Sequence, residues 1–516
     1  METVPTTSED PAKVKGSFHL LRAHALQYLI LIAILAWPSV IEARRLESLQ
    51  NAASWLEVQV GTWIIAHRAV PNFGVFSRSS DLPWADPNWG LQTGLALLYR
   101  LVGVKALPVS VMILDLLFAM ATFSLAGGRR GRFWLAIAVT LWAQVGLLGS
   151  FSSANIVCSA ALFAFELDLL ARSRESGRQK LLYWIPLLIV VWVNVDWRFL
   201  IGVVVFVLFC GVSAIEPYLK ERYWYFSHDR QAPPRPLLGF AAGAVCVAPV
   251  VSPGFYHAYV NAWQNLFGPS LVDNSILMKS LSFREPQHYL LMFLAMAAFL
   301  ALGRQKAHDI FQVLLLAGAV CLGFALGTEA WIVAVASVAV IGEFFSQNNG
   351  SKTKPECLPG MALNTATAIS AVIIIIVAAR IPSNPDALLR TADTSLPIRA
   401  CEFLRDQHLP GPIYNEISWG GFLAWCLPDY PVAIDDRYEL YGEDKTAFYY
   451  KVTRGFAAPS SDSDFASANT IILSNENGLI RGVEAYPKPE EMFRITFPGF
   501  RQVYKDELAV VLTKQP

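Results

Sequence analysis

Charge is scarce in this sequence: 16% of its 516 residues are Asp, Glu, Lys or Arg, where a soluble domain carries roughly 25%. The charges also cancel, 41 basic against 41 acidic. A chain without basic excess lacks the electrostatic footprint that nucleic acid demands, so no nucleic-acid partner is expected. Cysteine is sparse too. Its seven thiols form no CxxC pair and have no histidine at ligand spacing, which argues against zinc. Cys158, Cys210, Cys246 and Cys321 lie in apolar runs, where cysteine behaves as a small hydrophobe. Cys357 stands apart, while Cys401 and Cys426 share the polar carboxyl-terminal region and could pair in an oxidising compartment. A small-x-small cleavage site is missing after the first apolar run, His24–Ile41, which therefore reads as a signal anchor. No solenoid-period repeat is present.

What fills the space is apolar sequence, 54% of the chain. After the anchor come Ala106–Ala126, Phe133–Gly149, Ala154–Ala171, Leu181–Val193, Phe199–Ile215 and Leu237–Pro253, then Tyr289–Leu302, Ile310–Gly327, Trp331–Phe345 and Met361–Ala379. A bilayer core takes ~20 residues of helix, so the shorter runs must tilt or recruit flanking residues, and about 11 spans are expected. A weaker run, Trp89–Val102, reads as a span or a re-entrant helix. Basic clusters at 129–132, 172–180, 220–222 and 304–306, with Lys352 and Lys354, are expected to face the cytoplasm. On that topology the tail 1–23 lies inside, and the membrane domain covers 24–381. The loop 42–88, the turn 194–198 and a domain at 382–516 lie outside, provided Trp89–Val102 does not cross fully. The expected location is the inner (plasma) membrane.

From Ile381 the texture changes. Pro382, Ser383 and Pro385 open a linker, and Pro397–Arg405 has helical apolar spacing. Short strand-like runs follow at Pro412–Tyr414, Pro431–Ile434, Thr470–Leu473, Phe500–Tyr504 and Ala509–Leu512. The fold class is therefore an α-helical polytopic membrane protein ending in a small soluble α/β domain.

Candidate chemistry sits on the outward segments. Trp55–Ile65 reads as an amphipathic helix in the membrane interface. Asp86 is either a reactive carboxylate or a cap for the helix starting near Trp89. Asp196 and Arg198, beside Asn194, are either a substrate-binding pair or a paired turn. Asp435-Asp436-Arg437 follows a strand and either binds substrate or a metal or satisfies a turn, with Tyr438 and Tyr441 offering aromatic faces to a sugar. Asp115, Glu166 and Asp168 are ionisable groups in or beside spans, where a cavity or partner is expected. His67 and His257 read as ordinary interface histidines, and Trp419-Gly420-Gly421 as a backbone bend rather than a phosphate cradle.

Three islands carry a family resemblance. GTWIIAHRAVPNFGVFSRSSDLPWADPNW (Gly61–Trp89) resembles the first extracytoplasmic loop of the GT-C glycosyltransferases, nearest their bacterial RgtA/B/C/D-like branch. WVNVDWRFLIG (Trp192–Gly202) occupies the place of a Trp-x-Asn-x-His-Gly-x-x-x-x-Gly signature, and Pro397–Gly442 resembles the family's tail domain. The resemblance implies transfer of a sugar from a polyprenyl-phosphate donor to a cell-envelope acceptor, with a divalent metal as the cofactor it leaves open. The chain departs from the pattern at Asn51-Ala52-Ala53, where an Asp-x-Asp element belongs. Glu57 and Gln59 replace a His and an Arg, Pro87-Asn88 replaces His-Glu beside the retained Asp86, and Asp196 replaces the signature His. Glu57 and Asp86 are then the candidate base or metal ligand, and Arg198 the candidate phosphate contact. The rival function is a catalytically inactive lipid- or glycan-binding scaffold. A transporter is disfavoured, because no paired, interrupted short spans recur in matching halves.

Overall fold

The computed structural model describes residues 11–130, 132–174, 178–222, 233–267, 280–305, 309–348, 360–485 and 488–515. The segment 1–10 and residues Lys306, Lys352, Lys354 and Cys357 lie outside the described residues. Among the described residues, seven helices are long and apolar enough to cross a membrane: Ala25–Arg45, Trp89–Arg130, Ala154–Ser173, Phe199–Tyr218, Pro286–Gly303, Gly327–Ser346 and Leu363–Arg380. Four shorter apolar helices, Phe133–Gly146, Gln179–Val193, Arg235–Val251 and Ile310–Ala325, stand between them. Every apolar run of the sequence is thus helical, as a medium that cannot hydrogen-bond the backbone requires. The chain is a multi-pass membrane protein.

The helix starts have local causes. Asp309 Oδ1 accepts the Phe311 N–H and caps Ile310–Ala325, and proline opens Pro286–Gly303, where its missing N–H is harmless. In the centre of the bundle Ala106–Leu125 packs along both Ala154–Ser173 and Pro11–Arg45. Trp89–Val102 is a separate helix of 14 residues, ~21 Å long and so shorter than a hydrocarbon core. At Gly103, with φ +63°, the chain turns into Ala106–Leu125.

Ala52–His67, capped by Asn51 Oδ1 on the Ala53 N–H, does not present one face to an interface. It is sandwiched. Gly61 lets it cross Trp89–Val102 so closely that an added Cβ would sit 2.0 Å from the Gln92 carbonyl oxygen. On its other side it meets Gly420–Cys426, where a Cβ on Gly421 would lie 2.6 Å from the Ala52 carbonyl oxygen. Gly421 is therefore a close-approach device between regions, while Gly420 makes room for Ile434 and Asp435 of its own region. Trp55 completes the contact, its ring 4.3 Å from that of Trp425.

The carboxyl-terminal region is built on a four-stranded sheet in the order β1-β2-β4-β3, with β1 Ile413–Asn415, β2 Thr470–Ser474, β3 Phe500–Lys505 and β4 Ala509–Lys514. β1 and β2 run parallel, and the other pairs are antiparallel. β2 and β4 are almost wholly buried, as central strands flanked by helices should be. The expected helix at Pro397–Arg405 is Ile398–Asp406. The run Pro431–Ile434 departs from expectation, for it joins no sheet. Val432 bridges Ser77, donating its N–H to Phe76 O and accepting from Arg78 N–H, both at 2.9 Å. Its strand-like pattern is satisfied by the loop that precedes Trp89. Cys401 and Cys426 are neighbours and both are free thiols.

Candidate active site

The loop 70–88 is stitched to the carboxyl-terminal region by side chains. Arg437 Nη2 donates to Val75 O (2.9 Å), Tyr441 Oη lies 3.0 Å from Ser77 Oγ, and Trp84 Nε1 donates to Glu439 Oε1 (3.1 Å). Between that loop, Ala52–His67, the turn at Trp197 and the segment Asp436–Glu439 lies a cavity of about 110 Å³. Glu57, Asp86, Asp436, Arg437 and Glu439 all line it. The two candidate carboxylates of the first loop and two of the three residues at 435–437 therefore share one space.

Each carboxylate in it is electrostatically uncomfortable. Glu57 is 5% exposed and its Oε2 has no partner. Burial, then the like charges of Asp196, Asp436 and Asp86, push its carboxyl up to about 8. Asp86 is 2% exposed. Its Oδ1 accepts from Asn88 N–H (2.9 Å) and Gln92 Nε2 (3.2 Å), the cap-like role, while Oδ2 has no partner. Burial raises its carboxyl to about 7, against the pull of those bonds and of Arg437. Asp436 is open to solvent at the cavity yet walled by protein, and that enclosure, with Asp435 beside it, takes its carboxyl to about 7. Glu439 is raised by burial as well. The cation among them is Arg437. Asp435 takes its Nε (2.9 Å) and Nη2 (2.7 Å), Trp84 packs under the guanidinium at 4.7 Å, and Nη1 has no partner. Asn88 Oδ1 and Gln92 Oε1 are likewise unpartnered in the cavity wall. Buried polar groups are normally paired with protein or ordered water, so five orphans around one space make it the candidate site.

The other expected site residues are placed differently. Asp435 is saturated by Arg437 and Tyr441 and does not line the cavity. Asn194 accepts from Trp89 Nε1 (2.8 Å) and donates to Val190 O (2.7 Å), fastening its turn to the start of Trp89–Val102. Asp196 and Arg198 form a closed network. Asp196 Oδ2 accepts from Ser159 Oγ (2.5 Å) and Arg198 Nη1 (3.1 Å), and Arg198 Nε and Nη2 reach Glu329 at 2.9 and 2.8 Å. Trp331 Nε1 closes the far side on Glu329 at 2.9 Å. Both carboxylates share the guanidinium, which leaves Arg198 no free donor edge comparable with that of Arg437. Glu329 was missed in the sequence, although a lone acid between two apolar runs is a usable signal. Trp84, Gln92 and Glu439 carried none.

The remaining ionisable groups stand apart. Asp115 borders a separate small cavity with Glu42 and Gln144. Glu166 is fully buried with both oxygens unpartnered. His67 stacks on Trp63, its Nδ1 3.0 Å from the Trp63 carbonyl oxygen. Among the described residues, no three His, Cys, Asp or Glu side chains gather as a metal-ligand set. The acids that line the cavity thus form no such set, and the residues present do not fit a divalent ion.

No family model matches the sequence, and no curated protein matches it. Solved structures do match its fold. An archaeal oligosaccharyltransferase, AglB from Archaeoglobus fulgidus in complex with an inhibitory peptide and a dolichol-phosphate, superimposes with a TM-score of 0.53 at 10% identity, covering 87% of this chain and 69% of that one. ArnT from Cupriavidus metallidurans matches at lower similarity: 0.46 and 11% identity bound to undecaprenyl phosphate, over 94% of this chain and 97% of that one. In the apo state the values are 0.45 and 12%, over 97% and 98%. At 10% identity the likeness to AglB is one of fold.

Proposed function

We propose that this protein transfers a sugar from a polyprenyl-phosphate donor to an acceptor hydroxyl, in the cavity between the first loop and the carboxyl-terminal region. The observation that carries this reading is the set of orphaned groups there: carboxylate oxygens on Glu57 and Asp86 that can accept a proton, and a guanidinium N–H on Arg437 that can meet an anion. The dolichol-phosphate of the AglB complex suggests the donor class, an analogy of fold that by itself assigns no function.

The chemistry follows from the residues. Glu57 or Asp86, ionised, takes the proton of the acceptor hydroxyl, whose oxygen attacks the anomeric carbon from the face opposite the phosphate. The bond from that carbon to the phosphate oxygen breaks, and the polyprenyl phosphate leaves with the electron pair, so the configuration inverts. Its charge is met by Arg437 Nη1, the role the sequence suggested for Arg198. Carboxyls raised to about 8 and about 7 suit a base that must accept a proton near neutral pH. No step runs through a metal. Asn155, at the start of Ala154–Ser173, lines this cavity, while the basic Arg172 lies at the helix's other end. The positive-inside rule then puts the cavity on the outer side.

The test is transfer from radiolabelled polyprenyl-phosphate sugars by the purified protein in nanodiscs, with Glu57→Gln and Asp86→Asn in parallel. At least one variant should lose ~10²–10⁴-fold in kcat, the usual worth of a general base. A wild-type protein that turns over no donor, yet binds polyprenyl phosphate, would overturn transfer in favour of a lipid-binding scaffold.

A further inference from the structure

At the end of Ala154–Ser173 remote from this cavity lies a second and larger space, of about 450 Å³. From Asn155 to Arg172 the helix rises ~25 Å, so the polar end of this space and the first cavity lie at opposite ends of that helix. The walls are apolar, running from Leu162 to Leu169 on this helix and from Leu181 to Val191 on Gln179–Val193. Trp184 and Leu187 stand 58% and 52% exposed along it, as residues facing acyl chains would. Its length between Leu162 and Arg172 is ~15 Å. One end alone is polar: Ser124, Arg129, Asp168 and Arg172.

Two of those groups, Asp168 and Arg129, have an atom or a whole head group without a protein partner among the described residues. Asp168 Oδ2 accepts from Ser124 Oγ (3.1 Å) and Arg172 Nη1 (3.3 Å), but its Oδ1 is buried without a partner. Arg129 is exposed and has no hydrogen-bond or ion-pair partner among the described residues. An apolar trench ending in a free guanidinium and an acceptor lacking a donor is complementary to a phospholipid with a phosphate, an attached ammonium and an acyl chain, and one without a headgroup carboxylate to repel Asp168. We propose that this trench binds a phosphatidylethanolamine molecule of the leaflet opposite the sugar-transfer cavity. The phosphate lies on Arg129, the ammonium donates to Asp168 Oδ1, and an acyl chain follows the trench past Trp184. The site is independent of the transferase reading, because none of its residues lines the other cavity.

The experiment is native mass spectrometry of the delipidated full-length protein after incubation with an equimolar mixture of phosphatidylethanolamine, phosphatidylglycerol and phosphatidylcholine. Wild type should retain phosphatidylethanolamine over phosphatidylcholine by about tenfold, since only the former can donate to a charged acceptor. Arg129→Gln, a change at an exposed side chain, should reduce binding of every phospholipid. Asp168→Asn should abolish the preference while leaving total binding measurable. If that variant does not fold, the wild-type preference and Arg129→Gln still decide. Bound lipid that tracks the mixture, a preference for phosphatidylglycerol, or binding indifferent to Arg129→Gln would each overturn the assignment.

Discussion

Two buried charged clusters lie close enough to feel one another, since Asp196 helps raise the Glu57 carboxyl, yet they are built on opposite plans. In the Asp196–Arg198–Glu329 cluster both acids share one guanidinium, and Ser159 and Trp331 close its outer edges. In the cavity cluster Glu57, Asp86 and Arg437 each keep an atom without a partner. Depth is the same in both, so burial alone does not distinguish architecture from function. Satisfaction does. A closed network fixes how the 194–198 turn meets the helix at Ala330, whereas an open one leaves atoms with which a ligand or water can pair.

The largest effect should come from breaking the closed cluster. Arg198→Met leaves Asp196 and Glu329 buried without their cation, a loss of about 3–5 kcal/mol. Thermal unfolding in detergent should show little folded variant surviving purification. Arg437→Lys tests the open cluster. Lysine can keep the ion pair with Asp435 but loses the second donor edge. Donor-dependent kcat/KM should fall ~10²–10³-fold, with a smaller loss of stability from the weakened pair with Asp435, the lost Nη2 bond to Val75 O and the lost stack on Trp84. An equal loss of stability would instead place Arg437 with the closed kind. A smaller effect is expected at Gly421→Ala. Its new Cβ would lie 2.6 Å from the Ala52 carbonyl oxygen, so the two regions must part slightly, at a cost of about 1–3 kcal/mol. Limited proteolysis near residue 381 should then speed up, and donor turnover should drop because Arg437 and Glu57 sit on opposite sides of that seam.

How much of this was legible beforehand follows the same divide. Apolar runs declare themselves, because a helix crossing a bilayer must be apolar along its length, and every such run is a helix. Four of the five short strands of the tail were readable: β2 and β4 because buried central strands are near-continuous apolar and β-branched sequence, and the edge strands β1 and β3 from short runs with strand-forming residues. Pro431–Ile434 misled because one side of its backbone pairs with residues 76–78, a partner more than 350 positions away that no local pattern can announce. The same holds for the site. Glu57 and Asp86 were visible as acids in an outward loop, but that Asp436 and Arg437 face them, and that Arg198 does not supply the free cation, depends on long-range contacts alone. Trp55–Ile65 looked interfacial because its apolar residues await two protein partners, not lipid.

The finest test of the comparison uses pH. Glu57 has an ordinary value of 4.5 and a folded value of about 8, so between those limits the folded protein holds a proton that the unfolded chain releases. Stability must therefore fall as pH rises from 4.5 toward 8, and be free of this penalty below 4.5. Glu57→Gln cannot ionise and escapes the penalty. At pH 8.5 its melting temperature should exceed that of wild type by ~1 °C, a gain on the order of 1 kcal/mol, and the difference should vanish near pH 4.5. Turnover should move the other way, lost in the variant and rising in wild type as Asp86 and then Glu57 ionise. A residue whose removal stabilises the fold while abolishing the reaction is one the fold tolerates for its chemistry. If Glu57→Gln destabilised the protein at every pH, Glu57 would be architecture like Arg198, and the cavity would lose its strongest candidate base.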